Sequence, residues 1–310
     1  MLAYVGRRLL HAIPILWGVL TVTFALMYVV PGDPARIMMG ARADEATVRA
    51  LRSELGLDDP LPVQYGRFLL RAARADLGRS YSTNRDVVDE ILLRVPATAV
   101  LGLAAITIAV VLGVLVGVLS AVRPYSAIDQ GSMVLALVGI SIPVFFLGLV
   151  LAWVFGYLLG WLPISGYRTG VGGLPYLVLP AAALAAAPLA LIARLTRSCM
   201  LEVLREDYVR TARAKGLGER RVVFKHALKN ALNPILTAAS QSLAAVLAGA
   251  FFVEFIFNWP GIGLLAIQSI HTYDFPMIQG TVLFDAAVFI VINIFVDLGY
   301  AALDPRLRVG

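Results

Sequence analysis

The chain has 310 residues, 59% hydrophobic and 15% charged, with a mean hydropathy of +0.82. Soluble domains carry about 25% charged residues, so a water-soluble enzyme and a disordered chain are excluded. The net charge of +6 reports loop orientation in a membrane protein rather than nucleic-acid binding; the lone Cys199 and three scattered histidines leave no disulfide and no metal cluster.

A membrane span needs roughly 20 apolar residues. Leu9–Gly32 is free of Asp, Glu, Lys and Arg and predicts the first span. Arg7-Arg8 ahead of it fits a signal peptide, but the run is long and no small-x-small site precedes Pro31-Gly-Asp-Pro34, so the helix is expected to stay uncleaved. Residues 31–94 hold ten acids and ten arginines. Within them Asp44 as N-cap, the shared face of Val48, Leu51 and Leu55, and Gly56 as a stop predict one helix. A second is expected from Pro62 to about Ala75, ended near Gly78. This segment reads either as a cap over the pore helices or as a docking surface for an external partner.

Val95–Val122 predicts the second span. In the stretch Gln130–Tyr167 one helix is expected, about Met133 to Leu159 and bent at Pro143, because Gly160–Tyr167 is turn chemistry. Thr169–Ala193 and Asn230–Val253 predict the fourth and fifth spans. Residues 255–273 read as an external loop carrying a short interfacial helix, and Gln279–Leu303 as a sixth span interrupted by Asp285 and Asp297. Gly113-x-x-x-Gly117 and Gly156-x-x-x-Gly160 permit close helix approach.

Between Arg194 and Pro234 lie ten Lys and Arg residues, and short loops this basic stay cytoplasmic. With six spans, both termini and Arg123, Arg306 and Arg308 share that side. The middle of this segment predicts a short helix, about 205–218, placing Tyr208, Ala212 and Lys215 on one face with Gly216 and Gly218 behind. It reads as a basic loop on anionic lipid or as a lever carrying force into the helices it joins. Polar groups at bilayer depth are costly and mark pathways or helix pairing. The candidates are Glu254, Asp285, Gln241, Ser242 and Asn293.

The chain resembles a membrane-spanning permease subunit of a peptide- or nickel-type ABC importer dependent on an external binding protein. The likeness lies in Tyr4-Val-Gly-Arg-Arg-Leu-Leu10, Pro31-Gly-Asp-Pro34, Gly56-Leu-Asp-Asp-Pro-Leu-Pro-Val-Gln-Tyr65 and Asp76-Leu-Gly-Arg-Ser-Tyr81. It continues in Pro96-Ala-Thr98, Asp207-Tyr-Val-Arg-Thr-Ala-Arg-Ala-Lys-Gly-Leu217, Phe257-Asn-Trp-Pro-Gly-Ile-Gly263 and Tyr300-Ala-Ala-Leu-Asp-Pro-Arg306. The resemblance implies an all-α integral membrane protein of type I ABC importer permease fold. Its expected parts are a first helix in residues 1–30, an external helical segment in 31–95, and a five-helix core in 96–310. It makes the internal helix a coupling helix docked on an ATPase through Asp207, Tyr208, Thr211, Ala212, Ala214, Lys215 and Gly216. The broader importer motif begins Glu-Ala-Ala; here Arg210-Thr-Ala212 stands in its place, so no salt bridge follows from the missing glutamate.

The implied assembly is two unlike permeases, two ATPase domains and one external binding protein in a bacterial or archaeal inner membrane. ATP and Mg belong to the partner ATPases, with no cofactor, metal or catalytic residue in this chain. No Gly-x-x-x-x-Gly-Lys-Ser/Thr loop and no Gly-x-Ser-x-Gly turn occurs. The implied cargo is di- or oligopeptide, with nickel chelates, glutathione and sugars as alternatives. A secondary transporter is the rival class, but inverted halves and midplane ionisable pairs are not evident.

Overall fold

The computed structural model describes residues 2–29, 33–39, 44–54 and 56–303. Pro31-Gly32, Leu55, and Asp304 onward with Arg306 and Arg308 lie outside the described residues. Among the described residues the chain is helical, apart from one isolated bridge between Arg79 and Asp86. It forms two compact units, one of Met1–Pro96 with Pro260–Val291, the other of Ala97–Trp259 with Ile292–Gly310.

The first unit holds α1 (Leu2–Val29), α2 (Pro34–Met39), α3 (Glu45–Glu54), α4 (Leu61–Ala73), the start of α5 (Val87–Val122), α12 (Ile262–His271) and most of α13 (Phe275–Leu303). Gly56 ends the α3 region at φ +66, a left-handed value that only glycine adopts without strain. The α1–α4 contact is aromatic: Phe24 packs on Phe68, Tyr65 and Tyr28, and Thr21 Oγ1 and the Tyr65 hydroxyl lie 2.7 Å apart. Arg52 bridges Asp33 and Asp58, and these hydrogen bonds raise its already high pKa. The core of the unit is Val87, Ile91, Ile262, Leu265 and Met277. The short helix expected within residues 255–273 is α12. Its residues Ile262, Gly263, Leu264, Leu265, Ala266 and Ser269 are buried, because apolar side chains occupy more than one flank and protein covers them.

The second unit holds the rest of α5, α6 (Ala127–Ser141), α7 (Val144–Leu151) with a π turn over Ala152–Leu158, α8 (Leu174–Val203) and α9 (Asp207–Ala214). Then α10 (Glu219–Arg221) runs through a π turn at Val222–Ala227 into α11 (Leu228–Ile256). The third apolar stretch is not one kinked helix. It is two helices at 111°, and the first begins at Ala127 under the Ser126 cap. Pro143 explains the break: it lacks an N–H and drives the preceding residue out of the helical region, and Ile142 sits at φ −81, ψ 126. By length and composition four described helices can cross a membrane, or five if this bent pair is one broken span.

Helices in lipid associate by close packing rather than by escape from water, and α8 shows this. It buries Ala181, Ala183, Ala185, Ala190 and Ala193. The predicted glycine pair on α5 is used: Gly113 lies against Ile192 and Leu189 O, and Gly117 against Ala193 O and Thr196. The second pair is not, since Gly156 packs on Ile164 of the following loop and Gly160 is left-handed at φ +61. A Cβ on Gly117 would stand 2.5 Å from both Ala193 O and Thr196 Cβ. Gly117→Val is therefore expected to cost about 1–3 kcal/mol through overpacking. Gly131→Val, which has nothing within 4 Å, serves as the control in a thermal melt of the purified protein.

Candidate functional site

The segment between α8 and α11 is built around a short amphipathic helix. Asp207 opens α9, and the Thr211 hydroxyl donates back to Asp207 O at 2.8 Å. The structure divides the predicted face. Val209 and Ala212 are buried in the unit's core beside Met200, Val222 and Val223, whereas Asp207, Tyr208, Thr211, Ala214, Lys215 and Gly216 are exposed. Ala212 thus anchors the helix, while Tyr208 is 40% exposed. Gly216 at φ +77 reverses the chain. Across the turn the Arg213 guanidinium donates twice to Glu219, at 3.1 and 2.7 Å. This fork raises the Arg213 pKa and holds the Glu219 carboxyl below its ordinary value. A depressed carboxylate stabilises the fold above its unfolded pKa, near 4.3, and that contribution disappears as pH falls through the lower folded value. The turn is therefore expected to loosen below about pH 4, seen as faster tumbling of a spin label at 216, whereas Glu219→Gln loosens it at neutral pH.

Near the end of α8 that leads into α9, α6 and α8 are joined by an ion pair with a buried carboxylate, which sequence reasoning missed. Asp129 is 2% exposed. Arg197 Nε donates to its Oδ1 at 2.5 Å and a terminal guanidinium nitrogen to its Oδ2 at 2.7 Å, while Tyr125 N adds a third bond at 2.8 Å. Ser120 and Ser132 hydroxyls, 2.7 Å apart, tie α5 to α6 at the same end. Arg197 had counted only as one of ten positive charges.

Of the polar candidates in the membrane helices, Gln241 is exposed, Asp285 and Asn293 are half-buried, and Ser242 is buried with its hydroxyl donating to Ala238 O at 2.7 Å. Glu254 is fully buried and accepts from Thr98 Oγ1 at 2.7 Å. It sits about 20 Å along α11 from Gln241. Beside it Trp259 Nε1 donates to Ala97 O at 2.9 Å, Gly166 N donates to Phe257 O at 2.8 Å, and Tyr167 meets the Trp259 ring edge-on. Two stretches noted in the sequence, at Ala97-Thr98 and Phe257–Trp259, thus meet.

In the first unit Asp274, 1% exposed, gathers the loop before α5: Ser80 Oγ donates at 2.5 Å, Tyr81 N at 3.0 Å, Ser82 N at 3.1 Å and Ser82 Oγ at 2.9 Å. Burial, with the Asp274 charge adding to it, pushes the Tyr81 phenol up to about 12. Tyr81, Phe24, Phe68, Gln64, Arg71 and Gln279 are among the walls of a cavity of about 630 Å³ in this unit. Nothing in the local sequence around Asp274 signals this role, because its partners lie some 190 residues earlier.

Long apolar helices, a small-residue helix interface and an amphipathic helix lying between two of them define a multi-pass membrane protein. The family described as binding-protein-dependent transport system inner membrane component matches residues 113–309, and its N-terminal counterpart matches residues 1–102. The chain is 42% identical to the dipeptide transport system permease protein DppB of Alkalihalophilus pseudofirmus, over 99% of this chain and 100% of that one. It is 43% identical to the di/tripeptide transport system permease protein DppB of Pseudomonas aeruginosa, over 99% of each. It is equally 43% identical to the glutathione transport system permease protein GsiC of Pectobacterium atrosepticum, over 99% of each. Its fold is similar to that of a chain of the MetNI methionine ABC transporter, with a TM-score of 0.54 at 20% identity, covering 69% of this chain and 96% of that one. An amino acid ABC transporter chain gives a TM-score of 0.51 at 17% identity, covering 71% and 94%. The chain belongs to the binding-protein-dependent transport system inner membrane component family. It is a membrane permease subunit of an importer, not an enzyme in its own right.

Proposed function

We propose that this chain forms, with a second and unlike permease, the translocation path of an ATP-driven importer of short peptides. The observation that carries the reading is likeness to dipeptide and di/tripeptide permeases along 99% of the chain. Six spans, the bent pair 127–158 counting as one, put both termini and the basic segment 194–229 in the cytoplasm, with residues 31–95 outside. The ten positive charges of that segment support this orientation. ATP and Mg are bound by partner ATPases. Closure of the ATPases moves α9 through its exposed residues Asp207, Tyr208, Thr211, Ala214, Lys215 and Gly216, with Ala212 holding it to α8 and the π turn. Helices two to six then reorient, and a peptide released by the external binding protein enters. Free energy passes only through contacts that differ between the two states.

Among the pathway candidates, the exposure of Gln241 supports lining, the burial of Ser242 and Glu254 supports helix pairing, and Asp285 and Asn293, both half-buried, stand between the two. In proteoliposomes holding both permeases, the ATPases and the binding protein, a radiolabelled dipeptide should accumulate only with ATP; accumulation by this chain alone would refute the reading. The glutathione permease at equal identity favours a second cargo, and competition by unlabelled glutathione separates the two.

A further inference from the structure

The exposed faces of two helices in the second unit differ in chemistry. On α5 the exposed side chains from Val100 to Leu119 are Leu and Val, such as Leu103, Val111 and Leu115. The exception is Thr107, whose hydroxyl is turned back onto Leu103 O at 2.6 Å. That is a surface suited to lipid. On α11 the exposed residues between 229 and 241 are Lys229, Asn230, Asn233, Pro234, Leu236 and Gln241, and only Leu236 is aliphatic. Asn230, Pro234 and Gln241 fall at i, i+4 and i+11, one stripe of the helix; Thr237 at i+7 is half-buried and, like Thr107, turns its hydroxyl back onto the backbone, at Asn233 O and 3.0 Å. Gln241 stands midway along this 29-residue helix, where an amide facing hydrocarbon goes unsatisfied. Pro234 adds to the polarity, because its missing N–H withdraws the usual donor from the carbonyl of Asn230.

We infer that this face of α11 lines a water-filled passage and hydrogen-bonds the amide groups of a peptide moving along it. The inference deepens the reading of the chain as a peptide permease and rests on it. Each carboxamide offers donors and an acceptor, matching a peptide N–H and C=O. The stripe from Asn230 to Gln241 is about 16 Å long, enough to face the backbone of four or five extended residues at roughly 3.3–3.6 Å each. Backbone amides are common to all peptides, so such a stripe accepts any side chains. Asn230 and Asn233 join Gln241 as cargo-contacting residues.

The test uses the complete importer in proteoliposomes with Cys199→Ser, which removes the chain's own thiol. Single cysteines at Asn233→Cys and Gln241→Cys are compared with Leu103→Cys and Leu115→Cys on α5. A charged, membrane-impermeant methanethiosulfonate reagent reacts with ionised thiols in water. We expect it to modify positions 233 and 241 at least about ten times faster than 103 and 115, and more slowly during dipeptide import. Modification at 233 and 241 as slow as at the α5 positions, in an importer that still takes up dipeptide, overturns the inference while leaving the peptide reading intact: the face is then sealed against the second permease or lipid. An assembled importer that never takes up dipeptide refutes the peptide reading itself. As a second measurement, Gln241→Leu should raise the KM for dipeptide uptake several-fold and Gln241→Asn should restore it; an unchanged KM in Gln241→Leu contradicts cargo contact.

Discussion

Asp129→Ala is expected to lower the stability of the folded subunit by about 1–3 kcal/mol, since it leaves a guanidinium that is 23% exposed without its counter-charge. Arg197→Ala should be at least as damaging, because the remaining carboxylate is 2% exposed and loses two of its three close bonds. The two losses are coupled: the double replacement should cost less than the sum, by a margin that measures the pair. Asp129→Leu with Arg197→Met, apolar and of similar volume, should recover much of the stability. Titration of the purified protein with a denaturing detergent gives all four values. A pair that contributes nothing would leave the single variants unfolding with the parent. The pair also has mechanical meaning. It sits on α8 shortly before the turn into α9, so α6 follows any displacement that α9 imposes on α8. In a variant that still assembles, ATP hydrolysis should continue while import falls.

The second large effect is expected at Tyr208. Its ring is 40% exposed beside the buried Val209, so Tyr208→Asp leaves the chain's own core untouched. Aromatic anchors in protein interfaces are worth about 2 kcal/mol or more, and 2 kcal/mol is roughly a thirty-fold change in affinity. Import should therefore fall by at least an order of magnitude while membrane insertion and thermal stability stay at the parent values. Co-purification of the ATPase with the variant reads the loss directly. Undiminished co-purification and import would take Tyr208 out of the coupling surface. Ala212→Asp is a different experiment, because Ala212 is buried and a charge there disturbs the core as well.

Much of the architecture is legible in the sequence because membrane helices announce themselves by length and by the exclusion of charge. The short helix at Asp207–Ala214 was also visible, from acids before it and glycine after it. Three features were not. Periodicity at i, i+4 and i+7 grouped Tyr208 with Ala212, but an eight-residue helix packs by whichever side chains its neighbours accept, and Val209 with Ala212 won. The short helix expected within residues 255–273 is present, but its pattern does not show how far it is enclosed: Ile262, Gly263, Leu264, Leu265, Ala266 and Ser269 are all buried. Pro143 was read as a kink, whereas a proline preceded by an extended residue ends one helix and starts another. In the candidate site, exposure separated Gln241 from Ser242, its neighbour by one residue, a distinction that composition does not carry.

Asp274 reaches Ser80, Tyr81 and Ser82 across 192 to 194 positions of chain. At roughly 5–20 residues per second of synthesis, the early loop leaves the ribosome on the order of ten to forty seconds before its carboxylate partner exists. Throughout that interval the N-terminal third can be inserted but not completed, and it stays exposed to quality-control proteases. A nascent chain stalled before residue 274 should be cut around residues 76–86, and one released beyond α13 should resist.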